Sequence, residues 1–182
     1  MSNKRAADLL VECLVNQGVT RIFGIPGESY LSVLDALVDV NDKVKFVTAR
    51  HEGAASFMAE AYGKLTGNAG VCFVTRGPGA TNASIGVHTA MQNSSPMILF
   101  IGQIGRNTTD REAFQEVDYR MFFGSIAKWV TQIDDPDRLP ELIGRAFAVA
   151  NSGRPGPVVV ALPEDMLREI TDSTPVAKIL TN

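Results

Sequence analysis

Short continuous runs of apolar residues alternate along the chain with longer stretches in which apolar residues recur every three or four positions. Runs such as 71–74, 97–101 and 158–161 contain no polar alternation. A strand that is buried on both faces has this pattern, whereas a strand with one face in water alternates. The runs predict six strands, at 19–25, 44–49, 70–75, 96–102, 128–133 and 156–162.

The periodic stretches between these runs predict helices that each place one apolar face against the sheet. Strands that alternate with helices are typical of an open parallel sheet covered by helices on both sides. We therefore predict an α/β fold with a doubly wound, mostly parallel six-stranded sheet. The predicted helices are 3–17, 30–40, 54–65, 80–91, 114–123 and 136–150.

The apolar rhythm fades after Glu164, and Pro175 interrupts the remaining stretch. We predict one domain over residues 1–167 and a linker or tail over 168–182. A chain of 182 residues is long enough for one domain with a stable core.

Composition excludes several classes of function. A net charge of −3 provides no basic surface for nucleic acid or anionic lipid. No apolar run approaches the ~20 residues of a membrane span. Cys13 and Cys72 lie in apolar surroundings, which predicts two buried thiols and a cytoplasmic protein. His51 and His88 have no Cys or His at zinc spacing, so we expect no metal ligands in this chain.

Glycine, proline and polar residues gather directly after the first four predicted strands. These clusters are 24–28, 51–53, 75–82 and 102–103. The carboxyl ends of parallel strands share one edge of the sheet, and ligands of open α/β sheets bind at that edge. The pattern therefore predicts a single site built from these loops.

Glu52 stands where the second predicted strand passes into a helix, followed by the small residues Gly53, Ala54 and Ala55. A carboxylate here could face a ligand, and the small residues would allow that ligand to approach closely. It could equally complement the positive end of the helix dipole, an effect of about 0.3–1 kcal/mol. This position alone leaves both interpretations open.

The turn Gly77-Pro78-Gly79 raises the alternative of a nucleotide-binding module, because glycines before a helix can cradle a phosphate. The pattern departs from the dinucleotide fingerprint, since Asn82 occupies the third glycine position. Pro78 also lacks the N–H that a phosphate cradle would use. A tight turn for packing, or for close approach of an uncharged ring, fits better.

Six segments, in this order, resemble the N-terminal, pyrimidine-binding domain of thiamine-diphosphate enzymes of the acetolactate synthase-like group. The resemblance extends from about Lys4 to Leu167, nearly the whole chain. The matching segments are VTRIFGIPG at 19–27, RHE at 50–52, AEAYGKLTG at 59–67, GPGATN at 77–82, AFQEVD at 113–118 and RPGPV at 154–158.

The resemblance implies a catalytic role for Glu52. In such enzymes the matching glutamate hydrogen-bonds N1′ of the cofactor's aminopyrimidine and favours the 4′-imino form, which deprotonates C2 of the thiazolium. The carboxyl must then hold or share a proton near neutral pH. The cofactor carries the difficult chemistry and the protein tunes it.

The resemblance also implies supporting residues around the cofactor and the substrate. Acetolactate synthases commonly have a small residue where this chain has Glu28, and an acid there resembles 2-oxo-acid decarboxylases. We expect carboligation, with decarboxylation as the alternative. The implied cofactor-binding residues are Pro26, Gly27, Glu52, Thr75, Pro78 and Asn82, and the implied substrate-facing residues are Glu28, Phe114 and Gln115.

The resemblance further implies thiamine diphosphate as cofactor, a 2-oxo acid such as pyruvate as substrate, and a homodimer or larger assembly. Mg²⁺ would be held by a diphosphate-binding domain that begins with Gly-Asp-Gly, a sequence absent here. FAD can accompany the cofactor in the complete enzyme. We therefore expect this chain to be a piece of a longer polypeptide or one subunit of a two-chain enzyme, inactive in isolation.

Overall fold

Six parallel strands form the main sheet in a computed structural model, which describes residues 3–178. These six strands are β2 (Arg21–Gly24), β3 (Lys45–Thr48), β4 (Gly70–Val74), β5 (Met97–Gln103), β6 (Trp129–Gln132) and β7 (Pro157–Pro163). Two short strands, β1 (Lys4–Arg5) and β8 (Ile170–Thr171), form a separate pair. The order in the main sheet is β3-β2-β4-β5-β7-β6, and every neighbouring pair is parallel. The predicted parallel α/β fold is confirmed.

Within the described residues, six α-helices and four short 3-10 helices connect the strands. The α-helices are α1 (Ala6–Asn16), α2 (Leu31–Val38), α3 (Glu52–Thr66), α4 (Gly77–Asn93), α5 (Tyr119–Phe123) and α6 (Leu139–Asn151). The 3-10 helices are Glu28–Tyr30, Arg106–Thr108, Pro136–Arg138 and Met166–Arg168.

The helix predicted over 114–123 is wrong in its first half, because only Tyr119–Phe123 is helical. The carboxylate of Asp118 caps this helix, accepting hydrogen bonds from the N–H groups of Arg120 and Met121 at 2.9 and 3.0 Å. Gln115 has a φ of +67°, in the left-handed region, which an α-helix does not allow. Residues 114–118 therefore form a loop.

Two hydrophobic cores lie on opposite faces of the sheet. Successive residues of β4 alternate between them: Val71 and Phe73 join the core covered by α1, α2 and α6, whereas Cys72 and Val74 join the core covered by α3, α4 and α5. All five residues of this strand are buried. Burial on both faces explains why the strand carries a continuous apolar run.

The strand order reverses direction between β2 and β4. From β2 the chain moves outward to β3 and then returns to the other side of β2 to form β4. The connections that leave β2 and β4 therefore depart in opposite directions, which opens a crevice at the carboxyl edge. This edge carries the predicted site.

Residues 168–178 follow the predicted domain end. β8 pairs antiparallel with β1, with Lys4 opposite Thr171. The preceding Met166 and Leu167 are buried in the same core as α1. The division into a domain at 1–167 and a tail at 168–182 stays a prediction, and residues 179–182 lie outside the described part.

Within residues 3–178, no helix is long and apolar enough to cross a membrane. The same residues contain no group of three or more His, Cys, Asp or Glu that could hold a metal ion. Cys13 and Cys72 are both buried free thiols, as the sequence predicts.

The buried thiols and phenols predict a loss of stability at alkaline pH. Burial raises the pKa of Cys13 to about 12, and it also raises the pKa of Cys72, Tyr30 and Tyr119. The unfolded chain ionises its thiols near 9.0, so above that pH unfolding releases protons. This stabilisation is complete below the unfolded value and is lost as pH rises through the folded-state values. Urea unfolding should give a falling free energy above pH 9, with a shallower fall in a Cys13→Ala variant; an unchanged free energy across this range would contradict the prediction.

Candidate functional site

Glu52 is the first residue of α3, which begins two residues earlier than the sequence pattern predicts. The helix starts here because the ring of His51 caps it, with Nδ1 accepting a hydrogen bond from Gly53 N–H at 3.0 Å. A residue at this position comes shortly after β3. Its half-buried side chain therefore lies at the carboxyl edge of the sheet.

The Glu52 carboxylate contacts residues in the first two turns of α4. Asn82 donates its side-chain N–H to Oε2 of Glu52 at 3.0 Å, which is the one hydrogen bond of this carboxylate among residues 3–178. The other oxygen, Oε1, lies 3.6 Å from the point that a Cβ on Gly79 would occupy. One carboxylate oxygen is therefore held by the protein, and the other remains able to bond a ligand.

Close packing of α3 against α4 sets the separation of Glu52 and Asn82. A Cβ added to Gly86 would lie 2.2 Å from Oγ of Ser56. Further along, the buried carboxylate of Glu60 accepts hydrogen bonds from Ser95 Oγ at 2.7 Å and from the Asn93 side chain at 3.0 Å. These contacts fix the two helices at both ends of their interface.

The connection after β2 packs onto the end of β4. A Cβ on Gly27 would lie 2.8 Å from Cβ of Thr75 and 2.9 Å from the ring of Tyr30, so only glycine fits. The hydroxyls of Ser29 and Thr75 are 3.0 Å apart and share a hydrogen bond. Pro26, which precedes this contact, is exposed. The crevice between β2 and β4 is thus lined by a tightly packed glycine and an exposed proline.

Gly77, Pro78 and Gly79 form the first turn of α4 and not a loop before it, since the helix begins at 77 and not at 80. A Cβ on Gly77 would lie 2.9 Å from the carbonyl oxygen of Gln115, and one on Gly79 would lie 3.0 Å from Cγ2 of Thr75. A side chain at Gly77 would thus clash with backbone, and one at Gly79 would be tightly packed against Thr75. This geometry supports the packing interpretation of the turn over a phosphate cradle.

The structure brings most of the predicted cofactor-binding residues into one continuous surface. Gly27 contacts Thr75, Thr75 reaches Gly79, and Gly79 lies beside Glu52, which bonds Asn82.

None of the three predicted substrate-facing residues forms a hydrogen bond or ion pair with Glu52 among residues 3–178. Gln115 joins the start of α4, with its carbonyl accepting the N–H of Gly77 at 3.1 Å. Phe114 is 76% exposed, and Glu28 is exposed, with a side chain that forms no hydrogen bond or ion pair among residues 3–178. Their predicted roles therefore rest on their position at this edge and not on a contact with Glu52.

Glu52 contributes to the raised pKa of two buried groups. Burial is the main reason for the raised pKa of the Tyr30 phenol and of the Cys72 thiol, and Glu52 adds to both shifts. Neither group stands out in the sequence as part of a site. Both groups are therefore uncharged at neutral pH.

An ion pair also connects two segments at the same edge, and the sequence pattern does not indicate it. Arg76, one residue before α4, bonds Glu164 at 2.8 Å and is 12% exposed. Glu164 follows β7, 88 positions further along the chain. No local pattern predicts a pair at this separation.

The donor set fits one end of a heteroaromatic ring and not a diphosphate. Glu52 provides a carboxylate oxygen that can share a proton with a ring nitrogen, above a surface of small residues that includes Gly79. A diphosphate with its divalent cation requires hard oxygen ligands at close spacing, and residues 3–178 contain no such cluster. The fold and the site thus define an α/β domain with a candidate ligand site at the carboxyl edge of its sheet.

Comparison with known proteins identifies the family. Residues 4–121 match the family described as thiamine pyrophosphate enzyme, N-terminal TPP binding domain. The chain belongs to this family. Thiamine pyrophosphate is another name for thiamine diphosphate, so the family resemblance of the sequence is confirmed.

Similar proteins include several acetolactate synthases. The chain is 39% identical to acetolactate synthase of Bacillus subtilis over 175 residues, which cover 96% of this chain and 30% of that protein. It is 41% identical to the isozyme 3 large subunit of Escherichia coli over 161 residues, covering 88% of this chain and 28% of the subunit. It is 43% identical to a probable acetolactate synthase large subunit of Methanocaldococcus jannaschii over 162 residues, which cover 89% of this chain and 27% of that subunit. The chain spans less than a third of each of these relatives.

Proposed function

We propose that this chain is the aminopyrimidine-binding domain of a thiamine-diphosphate-dependent 2-oxo-acid carboligase similar to acetolactate synthase. Glu52 is the residue on which the proposal depends. Its carboxylate stands at the topological switch of a parallel sheet, is fixed by one hydrogen bond from Asn82, and keeps an oxygen for a ligand. The acetolactate synthases to which the chain is similar support the carboligase assignment.

In this proposal Glu52 holds or shares the proton at N1′ of the aminopyrimidine. Asn82 orients the carboxyl group by donating to Oε2, which leaves Oε1 for the ring. When bound, the cofactor supplies a carbanion that attacks the carbonyl carbon of a 2-oxo acid. The protein's part is to place the proton-sharing group and to exclude water from it.

The remaining residues of the edge bind the ring and face the substrate. Pro26 and Gly27 would line the reacting centre, and Thr75, Pro78 and Asn82 would lie near the cofactor. The residues proposed to face the 2-oxo acid are Glu28, Phe114 and Gln115.

The complete enzyme requires a second half of the site. A diphosphate-binding domain on the same or another chain would hold Mg²⁺ against the diphosphate, because residues 3–178 contain no suitable cluster. A homodimer or larger assembly would bring these halves together, and FAD can be part of the complete enzyme. The isolated chain should therefore show little turnover.

Decarboxylation is the second candidate, and exposed Glu28 favours it. An acid at the site edge could donate the proton needed to release an aldehyde after loss of CO₂. A carboligase would instead join the same fragment to a second 2-oxo acid. The products therefore distinguish the two functions.

The test is product analysis with the holoenzyme, pyruvate, thiamine diphosphate and Mg²⁺. A carboligase should release one CO₂ for every two pyruvates consumed and form acetolactate, detected by NMR. Acetaldehyde with one CO₂ per pyruvate would identify a decarboxylase, and Glu28→Gln should then reduce its formation. Pyruvate consumption that does not depend on added thiamine diphosphate would contradict both functions.

A further inference from the structure

Glu116 holds together the loop formed by residues 109–118. Its Oε1 accepts a hydrogen bond from Asp110 N–H at 2.7 Å, and its Oε2 accepts one from Ala113 N–H at 3.0 Å. Hydrogen bonds to a carboxylate are about twice as strong as those between neutral groups. Both oxygens are thus directed at the backbone of the loop.

The loop has a backbone that requires such support. Asp110, Glu112 and Gln115 have φ values of +61°, +53° and +67°. Left-handed conformations are unfavourable for residues other than glycine, and they persist where surrounding contacts over-determine them. Glu116 bonds directly to one of the three, Asp110, and to Ala113, which lies between the other two.

Two further hydrogen bonds fix the loop to the carboxyl edge. The Gln115 carbonyl accepts the N–H of Gly77 at 3.1 Å, at the start of α4. The Val117 carbonyl accepts the side chain of Gln103 at 3.1 Å, at the end of β5. Phe114 lies between Ala113 and Gln115, which both form these hydrogen bonds, and it is 76% exposed. The loop therefore has one defined placement beside the start of α4.

We infer that Glu116 is a positioning residue, which holds Phe114 and Gln115 in place to contact the 2-oxo acid. This inference rests on the proposed function, because that function places the substrate at this edge. Glu116 itself does not touch the substrate, since both of its carboxylate oxygens bond the loop backbone. Its removal should weaken substrate binding without removing the proton-sharing group at position 52.

The test compares Glu116→Gln with wild type in the holoenzyme. An amide has one acceptor oxygen, so one of the two backbone N–H groups loses its partner. Glu112→Gln is the matched control, because it removes a charge from the same loop at an exposed side chain with no hydrogen bond among residues 3–178. We expect KM for pyruvate to rise about tenfold in Glu116→Gln, with a smaller change in kcat and in the affinity for thiamine diphosphate.

Limited trypsin digestion provides a readout that does not depend on activity. Arg111 is exposed within the loop, and cleavage after it should be about tenfold faster in Glu116→Gln, because local opening controls proteolysis. Glu112 follows the scissile bond directly, so the digestion control is Glu141→Gln on α6, which should leave cleavage after Arg111 at the wild-type rate.

The two readouts separate the possible failures. Wild-type cleavage and wild-type KM in Glu116→Gln would overturn the inference, and so would faster cleavage with unchanged KM. A holoenzyme that turns over no 2-oxo acid would defeat the proposed function and the substrate contact together. Faster cleavage would in that case still support the structural role of Glu116 in the loop.

Discussion

Glu52→Gln is expected to lower turnover of pyruvate by the holoenzyme about 10²–10⁴-fold, the range typical for loss of a group that transfers a proton. Glutamine has the same length, and its amide oxygen can still accept the hydrogen bond from Asn82. It cannot hold or share a proton with a ring nitrogen. The variant should therefore fold normally and retain the cofactor while losing most of kcat.

Steady-state kinetics and calorimetry with thiamine diphosphate would measure this effect. Glu141→Gln is a suitable control, because it changes the same residue type on α6, where the side chain is 60% exposed. Asn82→Ala should give an intermediate loss of about tenfold, since it frees the carboxylate but leaves it in place. Near-normal kcat in Glu52→Gln would reject the assigned role.

Gly86→Ala is expected to lower the free energy of unfolding by about 3 kcal/mol, near the upper end for overpacking. The added Cβ would lie 2.2 Å from Oγ and 2.5 Å from Cβ of Ser56 on α3. Alanine favours helix by about 1 kcal/mol over glycine, but the overlap involves backbone and Cβ atoms that cannot rotate away. The helices must separate, and Glu52 and Asn82 with them.

Urea unfolding would give the stability change, and kcat would report the separation of the two helices. Gly105→Ala is the matched control, because a Cβ there approaches only the far ends of the Asn107 and Asp165 side chains, no nearer than 3.3 Å, and φ is −62°. We expect that variant to remain within about 0.5 kcal/mol of wild type. Equal stabilities for the two variants would mean that α3 and α4 are not tightly packed.

The strands were predictable because burial on two faces leaves a continuous apolar run. All seven residues of β5 and of β7 are buried, and both strands fall within or beside their predicted ranges. The helix starts were less well predicted, since caps decide them. His51 begins α3 at Glu52, and α4 includes Gly77, Pro78 and Gly79 in its first turn.

The loop at 109–118 could not be predicted from local pattern. Phe114, Val117 and Met121 have the spacing of a helical face, which is compatible with the helix predicted over 114–123, yet residues 114–118 form a loop. The backbone instead follows hydrogen bonds from Gly77 and Gln103, which come from distant parts of the chain. Tertiary contacts of this kind outweigh a short stretch of periodicity.

Local sequence was enough to specify the parallel α/β fold and to predict the edge at which the site lies, because apolar runs and strand ends are local features. The catalytic role of Glu52 stays a prediction that the family resemblance implies. The contacts of that acid depend instead on the packed structure. Asn82 reaches Glu52 across 30 positions of the chain, and it does so because Gly86 lets α4 pack directly on α3. A hydrogen bond between two helices depends on their separation, and that separation is set by packing that no local stretch of sequence contains.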